Sequence, residues 1–148
     1  MSERSVWRLI FDGPRTGAWN MALDEAVLDA VVEGEVLPTL RLYEWQPPCL
    51  SIGYAQKAAD FDLSRLEVGQ LGFVRRPSGG RAVLHKDELT YCLCVREGDW
   101  RVSGGVVESY RRLSDGFLEG LHRLGADGVL AASKGGEKAL STACFDAP

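Results

Sequence analysis

This 148-residue chain has only two histidines, His85 and His122, and its four cysteines (Cys49, Cys92, Cys94 and Cys144) form no Cys-x-x-Cys pair. That poverty of ligands argues against a zinc site. It suits a reduced, cytoplasmic setting. No apolar run approaches the roughly 18–20 residues of a membrane span. Met1-Ser2-Glu3-Arg4 lacks the apolar core of a secretory signal. Positive charge is not in excess: 17 Lys and Arg stand against 21 Asp and Glu, a net −4. General electrostatic attachment to nucleic acid is therefore excluded. Internal repeats and low-complexity tracts are also lacking. What is present is ordinary globular composition, 45% hydrophobic and 26% charged, in a length that suits one domain with a real core.

Periodicity predicts a mixture of strands and helices. Residues 6–11 read as a strand, broken by Asp12-Gly13-Pro14. A helix over 20–32 follows, with Asn20 as its N-cap and Gly34 as its stop. Leu23, Ala26, Val27, Ala30 and Val31 share one face of it, and Asp24 and Glu25 fall near its positive end. Strands are expected over 40–45, 49–54, 72–76, 81–84 and 89–95. The first of these places Arg41, Tyr43 and Trp45 on one side, where an acyl-channel lining and core packing are both open readings, as for Tyr54. Cys92 and Cys94 share a strand face and suit packing better than a disulfide, and Cys49 reads as structural. A helix over 106–124 carries Val106, Tyr110, Leu113, Phe117, Leu121 and Leu124 as an apolar stripe, read as core packing, with Gly125 placed to end it. His122 near its end needs no more than a helix-dipole contact. Residues 133–148 read as a surface loop.

The chemistry concentrates in Arg75-Arg76-Pro77-Ser78-Gly79-Gly80-Arg81-Ala82-Val83-Leu84-His85. Glycine lets a backbone approach a ligand closely and offers unencumbered N–H groups. Arginine supplies a donor fork for a carboxylate, a phosphate or a polarised carbonyl. The segment reads as a binding loop for the polar head of a substrate, held between two strands. The competing reading is a β-hairpin turn with solvated arginines, since Gly-Gly is a common hairpin signal. His85 is either a substrate-orienting or proton-moving group, or a hydrogen-bonded strand-end histidine.

Four blocks, in order along nearly the whole chain, resemble the lipoate–biotin protein ligase and acyltransferase superfamily. They are Asn20-Met21-Ala22-Leu23-Asp24-Glu25-Ala26; Leu40-Arg41-Leu42-Tyr43-Glu44-Trp45 with Leu50-Ser51-Ile52-Gly53-Tyr54-Ala55-Gln56; the arginine–glycine block continuing through Glu88-Leu89-Thr90-Tyr91; and Ala143-Cys144-Phe145-Asp146-Ala147-Pro148. The last resembles the nucleophile segment of the cysteine-dependent octanoyltransferases of the LipM type. The resemblance implies an α+β domain whose central sheet is mixed, largely antiparallel and flanked by helices. It implies octanoyl transfer from acyl carrier protein, through a Cys144 thioester, to a lysine of a lipoyl carrier domain such as the glycine-cleavage H protein. Exchange between thioesters is nearly isoenergetic and aminolysis is downhill, so that path needs no ATP, metal or other cofactor. The thiol's ordinary pKa of roughly 8.5 must first be lowered by a nearby cation.

In that family the cation is a lysine of a Lys-x-x-Gly-Ser-Ala motif after the cysteine, which this sequence does not contain. Lys134 and Lys138 precede Cys144 and do not match it, and Lys86 stands where relatives usually carry an acid. The expectation is therefore that residues 1–148 are the N-terminal part of a single catalytic domain, with the remainder absent and little or no activity alone. By the same resemblance, Arg75, Arg76, Ser78, Gly79, Gly80, Arg81 and His85 form the substrate pocket, and no metal ligand is implied. Three alternatives stay open: an ATP- and Mg-dependent lipoate–protein ligase, an amidotransferase between lipoyl domains, and an inactive form that only binds.

Overall fold

The computed structural model describes residues 6–129. The expected C-terminal loop, with Lys134, Lys138 and Cys144, lies outside the described residues. Six strands, β1 (Arg8–Arg15), β2 (Thr39–Trp45), β3 (Cys49–Ile52), β4 (Gly72–Arg75), β5 (Val83–His85) and β6 (Thr90–Cys94), alternate with helices α1 (Gly17–Glu33), α2 (Leu63–Val68) and α3 (Val106–Arg123). The α+β class with flanking helices is as expected. The strands form two sheets, ordered β1-β2-β6 and β4-β3-β5. Each central strand has one parallel and one antiparallel neighbour: β2 with β1 and β6, β3 with β4 and β5.

Helix α1 begins earlier than its sequence pattern suggests. Thr16, not Asn20, is the N-cap, and its hydroxyl accepts from the Trp19 N–H at 3.3 Å. Asn20 is buried one turn inside, where its amide donates to the carbonyls of Arg15 and Glu44. Asp24 therefore sits mid-helix, away from the positive end. It accepts instead from Arg41 Nη1 at 2.7 Å and from the Tyr43 hydroxyl at 2.9 Å. Gly34 ends the helix in the left-handed conformation, φ 80°, as its position implied.

Strand β1 runs on through Asp12-Gly13-Pro14, which the sequence marks as a break. The pairing with β2 shifts register between Phe11 and Pro14, and a bulge absorbs the turn-forming residues. Proline is tolerated because β1 is an edge strand. Alternation on β2 does put Arg41, Tyr43 and Trp45 on one buried face. Tyr43, Trp45, Met21 and Cys49 form one core cluster; Val27, Val31 and Cys94 form another beneath α1.

The apolar stripe of α3 is not core. Val106, Tyr110, Leu121 and Leu124 are exposed, and Ser114 is the helix's only buried residue. A cleft of about 880 Å³, lined by Leu9, Leu42, Leu93, Phe117 and Leu121, lies between the helix and the β1-β2-β6 sheet. Periodicity reported that one helix face is apolar, and carries no information on what covers it. Among the described residues no helix is long and apolar enough to cross a membrane.

Candidate functional site

The arginine–glycine segment is not a hairpin turn. Its flanking strands, β4 and β5, both pair with β3, on opposite sides, so residues 76–82 cross over the end of β3. The segment is thereby brought against residues 53–56, the turn that leaves β3. There the Tyr54 N–H donates to the Ser78 carbonyl at 3.0 Å. Gly53 is buried so tightly that a Cβ on it would lie 2.2 Å from the Gly80 carbonyl oxygen. Gly80 itself has φ +93°, a conformation that side chains disfavour.

Two of the three arginines are spent on the protein's own backbone. Arg75 Nη1 donates to the carbonyls of Gly53, Tyr54 and Gln56 at 2.6–3.0 Å and closes that turn. Arg76 faces the other way. Its Nη1 donates to the carbonyl and hydroxyl of Ser51, and its Nη2 to the carbonyls of Gly79 and Arg81 at 2.9 and 2.6 Å. Arg81 is exposed, and among the described residues its guanidinium has no partner.

These bonds determine what the loop offers to a ligand. The carbonyls of Ser78, Gly79 and Gly80 all point inward, to Tyr54, Arg76 and Gly53. In a trans peptide the N–H of the next residue points the opposite way. The N–H groups of Gly79, Gly80 and Arg81 accordingly face outward, and none has an acceptor among the described residues. Successive N–H groups without an internal acceptor, beside an exposed arginine, are chemically suited to an anion or a polarised carbonyl oxygen.

His85 lies at the end of β5, buried and stacked on Trp45 with ring centroids 3.9 Å apart. Its Nε2 meets the Ser51 hydroxyl at 2.8 Å and its Nδ1 meets the Glu88 carboxylate at 2.5 Å. Thr90 donates to the same carboxylate oxygen at 2.8 Å, and Thr90 in turn accepts from the Trp45 indole N–H at 2.7 Å. Both imidazole nitrogens are thus engaged inside the protein, which is the hydrogen-bonded strand-end arrangement.

The fold therefore gathers Arg75, Arg76, Ser78, Gly79, Gly80, Arg81 and His85 around one loop. It adds Ser51, Gly53, Glu88 and Thr90, which residue type alone did not single out. Tyr43 and Trp45 are core, and Tyr54 is exposed. Cys49 is fully buried, and burial pushes its thiol up to about 11. The Cys92 thiol is pushed up by its contact with Cys94, 3.6 Å away, and by burial. Cys94 is buried under α1, away from the loop. Among the described residues no group of three or more His, Cys, Asp or Glu side chains is placed to hold a metal. His122 is exposed near the end of α3.

Comparison with known proteins places these features in context. The family model for the lipoyl protein ligase A/B catalytic domain matches residues 16–136. The octanoyltransferase LipM of Kyrpidia tusciae is 50% identical over 97% of this chain, which covers 54% of that protein. The octanoyltransferase LipM of Halalkalibacterium halodurans is likewise 50% identical, with 97% and 54% covered. The chain thus spans about half the length of the relatives it matches. Among solved structures, a lipoate-protein ligase A bound with ATP aligns at 26% identity and TM-score 0.69, covering 87% of this chain and 53% of that one. A bi-partite lipoate protein ligase from Thermoplasma acidophilum aligns at 26% identity and TM-score 0.74, covering 87% and 49%.

Proposed function

This chain belongs to the lipoyl protein ligase A/B catalytic-domain family, and on that premise we propose that it serves octanoyl transfer in protein lipoylation. Residues 76–81 receive the polar head of the acyl thioester, and Cys144 takes up the acyl group. The Cys144 thiolate attacks the thioester carbonyl of octanoyl-acyl carrier protein. The carbon–sulfur bond to the carrier breaks, and the carrier's thiol leaves with a proton. A lysine amine of a lipoyl carrier domain, such as the glycine-cleavage H protein, then attacks the new thioester. An amide forms and the Cys144 thiol is restored. Each acyl carbon stays at the same oxidation level throughout, and the reaction, set in the cytoplasm, draws on no nucleotide or metal.

The observation that carries this reading is the outward-facing row of N–H groups at Gly79, Gly80 and Arg81. A tetrahedral intermediate puts negative charge on the former carbonyl oxygen. Donors already fixed in position stabilise it at no reorganisation cost, and loss of one such donor costs about 3–4 kcal/mol of barrier in comparable sites. In this assignment Arg81 meets the carrier's phosphate or acidic surface. Arg75, Arg76 and His85 shape the loop from behind.

Incubation of this chain, joined to a C-terminal half that supplies the family's Lys-x-x-Gly-Ser-Ala lysine, with octanoyl-acyl carrier protein and without ATP tests the proposal. Mass spectrometry should find one octanoyl group on Cys144, none in Cys144→Ser, and release of the load on addition of a lipoyl domain. Acyl transfer that requires ATP and persists in Cys144→Ser would replace the proposal with the ligase reading, which the likeness to an ATP-bound ligase favours.

A further inference from the structure

We infer that Glu88 is a positioning residue for the glycine loop, acting from outside it through His85, Ser51 and Arg76. Two groups at this site can only donate. A guanidinium has no acceptor atom, and neither has an indole N–H. Ser51 Oγ therefore accepts from Arg76 Nη1 at 2.9 Å. The Ser51 proton is left to donate to His85 Nε2, 2.8 Å away. His85 Nε2 is then an acceptor, so the ring proton sits on Nδ1 and is given to Glu88. From the other side, Thr90 Oγ1 accepts from Trp45 Nε1, and its own proton goes to the same Glu88 oxygen.

Every bond in this relay has one direction. Two donor-only groups, Arg76 and Trp45, stand at the ends, and both arms drain into a single acceptor, Oε1 of Glu88. The relay joins the β1-β2-β6 sheet, through Trp45 and Thr90, to the β4-β3-β5 sheet, through His85 and Ser51. It ends on the guanidinium that turns the Gly79 and Arg81 carbonyls inward. Remove Glu88 and the His85 proton loses its reason to sit on Nδ1. With the proton on Nε2, the Ser51 hydroxyl receives two donors and its own proton has no acceptor, in a buried site where such an orphan is costly. Arg76 then competes for Ser51, and its grip on the loop carbonyls loosens. The carboxylate thus controls the orientation of N–H groups it never touches. The inference borrows from the proposed function only the idea that those N–H groups bind a ligand.

The test needs no substrate, so its outcome is separable from that of the transfer assay. Nitrogen-15 NMR of the native chain should show His85 protonated on Nδ1. Glu88→Gln, which keeps an acceptor oxygen but adds a competing donor, should shift His85 toward the Nε2 form. Amide hydrogen exchange gives the loop readout, because the Tyr54 N–H is protected by the Ser78 carbonyl. In Glu88→Ala and in Ser51→Ala, exchange at Tyr54 should quicken by about tenfold, equivalent to roughly 1.4 kcal/mol. The Leu42 amide in the other sheet should stay protected, which separates loop release from unfolding. The double variant should be no faster than either single variant, as for two members of one relay. An Nε2-protonated His85 in the native chain, an unchanged Tyr54 amide in Glu88→Ala, or multiplicative effects in the double variant would each overturn the inference.

Discussion

Gly53 and Gly80 meet backbone to backbone: a methyl group on the first would lie 2.2 Å from the carbonyl oxygen of the second. The contact joins the turn after β3 to the crossing loop, at the point where Arg75 and Arg76 brace them from either side. Gly53→Ala should therefore displace the loop and lower stability by about 1–3 kcal/mol, the usual cost of overpacking. Gly79→Ala is the matched control, because a Cβ there meets nothing within 4 Å. It should lie within about 0.5 kcal/mol of the parent. Thermal unfolding of the two variants side by side checks the contrast.

The fully buried Arg41 is the most demanding group in the core. It pairs with Asp12 at 2.9 Å and Asp24 at 2.7 Å, is closed to solvent, and lies 3.9 Å over the Tyr43 ring. Truncation to alanine leaves the two half-buried carboxylates, Asp12 on β1 and Asp24 on α1, without their cation. The expected loss is about 3–5 kcal/mol, measured as a lower midpoint in urea.

Acid should weaken the same network. The hydrogen bond from Arg41 is the largest influence on Asp12 and holds its carboxyl below the usual carboxylate range, against the opposing effect of burial. A depressed folded-state pKa means that the unfolded chain binds the proton first. The stabilisation is complete above the unfolded value of about 3.9 and disappears as pH falls through the lower folded value. Asp12→Asn should flatten that part of the stability–pH curve; an unchanged slope would assign the acid sensitivity elsewhere.

Cys49 gives the opposite sign at the alkaline end. Burial raises its pKa to about 11, so above about 8.5 the unfolded chain loses this proton before the folded one does. Stability should decline as pH climbs from there toward 11, and less so in Cys49→Ala once its own cavity cost is subtracted. At pH 8 iodoacetamide should leave Cys49 unmodified in the folded chain and label it in urea, as peptide mapping would show.

What could be read from the sequence, and what could not, divides along local and distant interactions. The single buried face of Arg41, Tyr43 and Trp45 followed from strand alternation, and the Gly34 stop from conformational preference. Thr16 and Asn20 are both competent caps. The choice between them rests on the Glu44 carbonyl, 24 residues from Asn20, which claims its side chain. Gly-Gly signals a hairpin, and only the insertion of β3 between β4 and β5 turns it into a crossing. Glu88 fell between the expected strands 81–84 and 89–95 with no role of its own, because that role depends on His85 and Thr90 together. The apolar face of α3 was legible, but its exposure was not.

The crossing over β3 has a geometric corollary. Two strand spacings separate β4 from β5, about 10 Å. The eight peptide units from Arg75 to Val83 can reach roughly 26 Å when drawn out. The excess length is slack that the sheet does not require, and it exists to be folded into a shape. Trimming it would spare the strand pairing while removing the row of N–H groups at Gly79, Gly80 and Arg81.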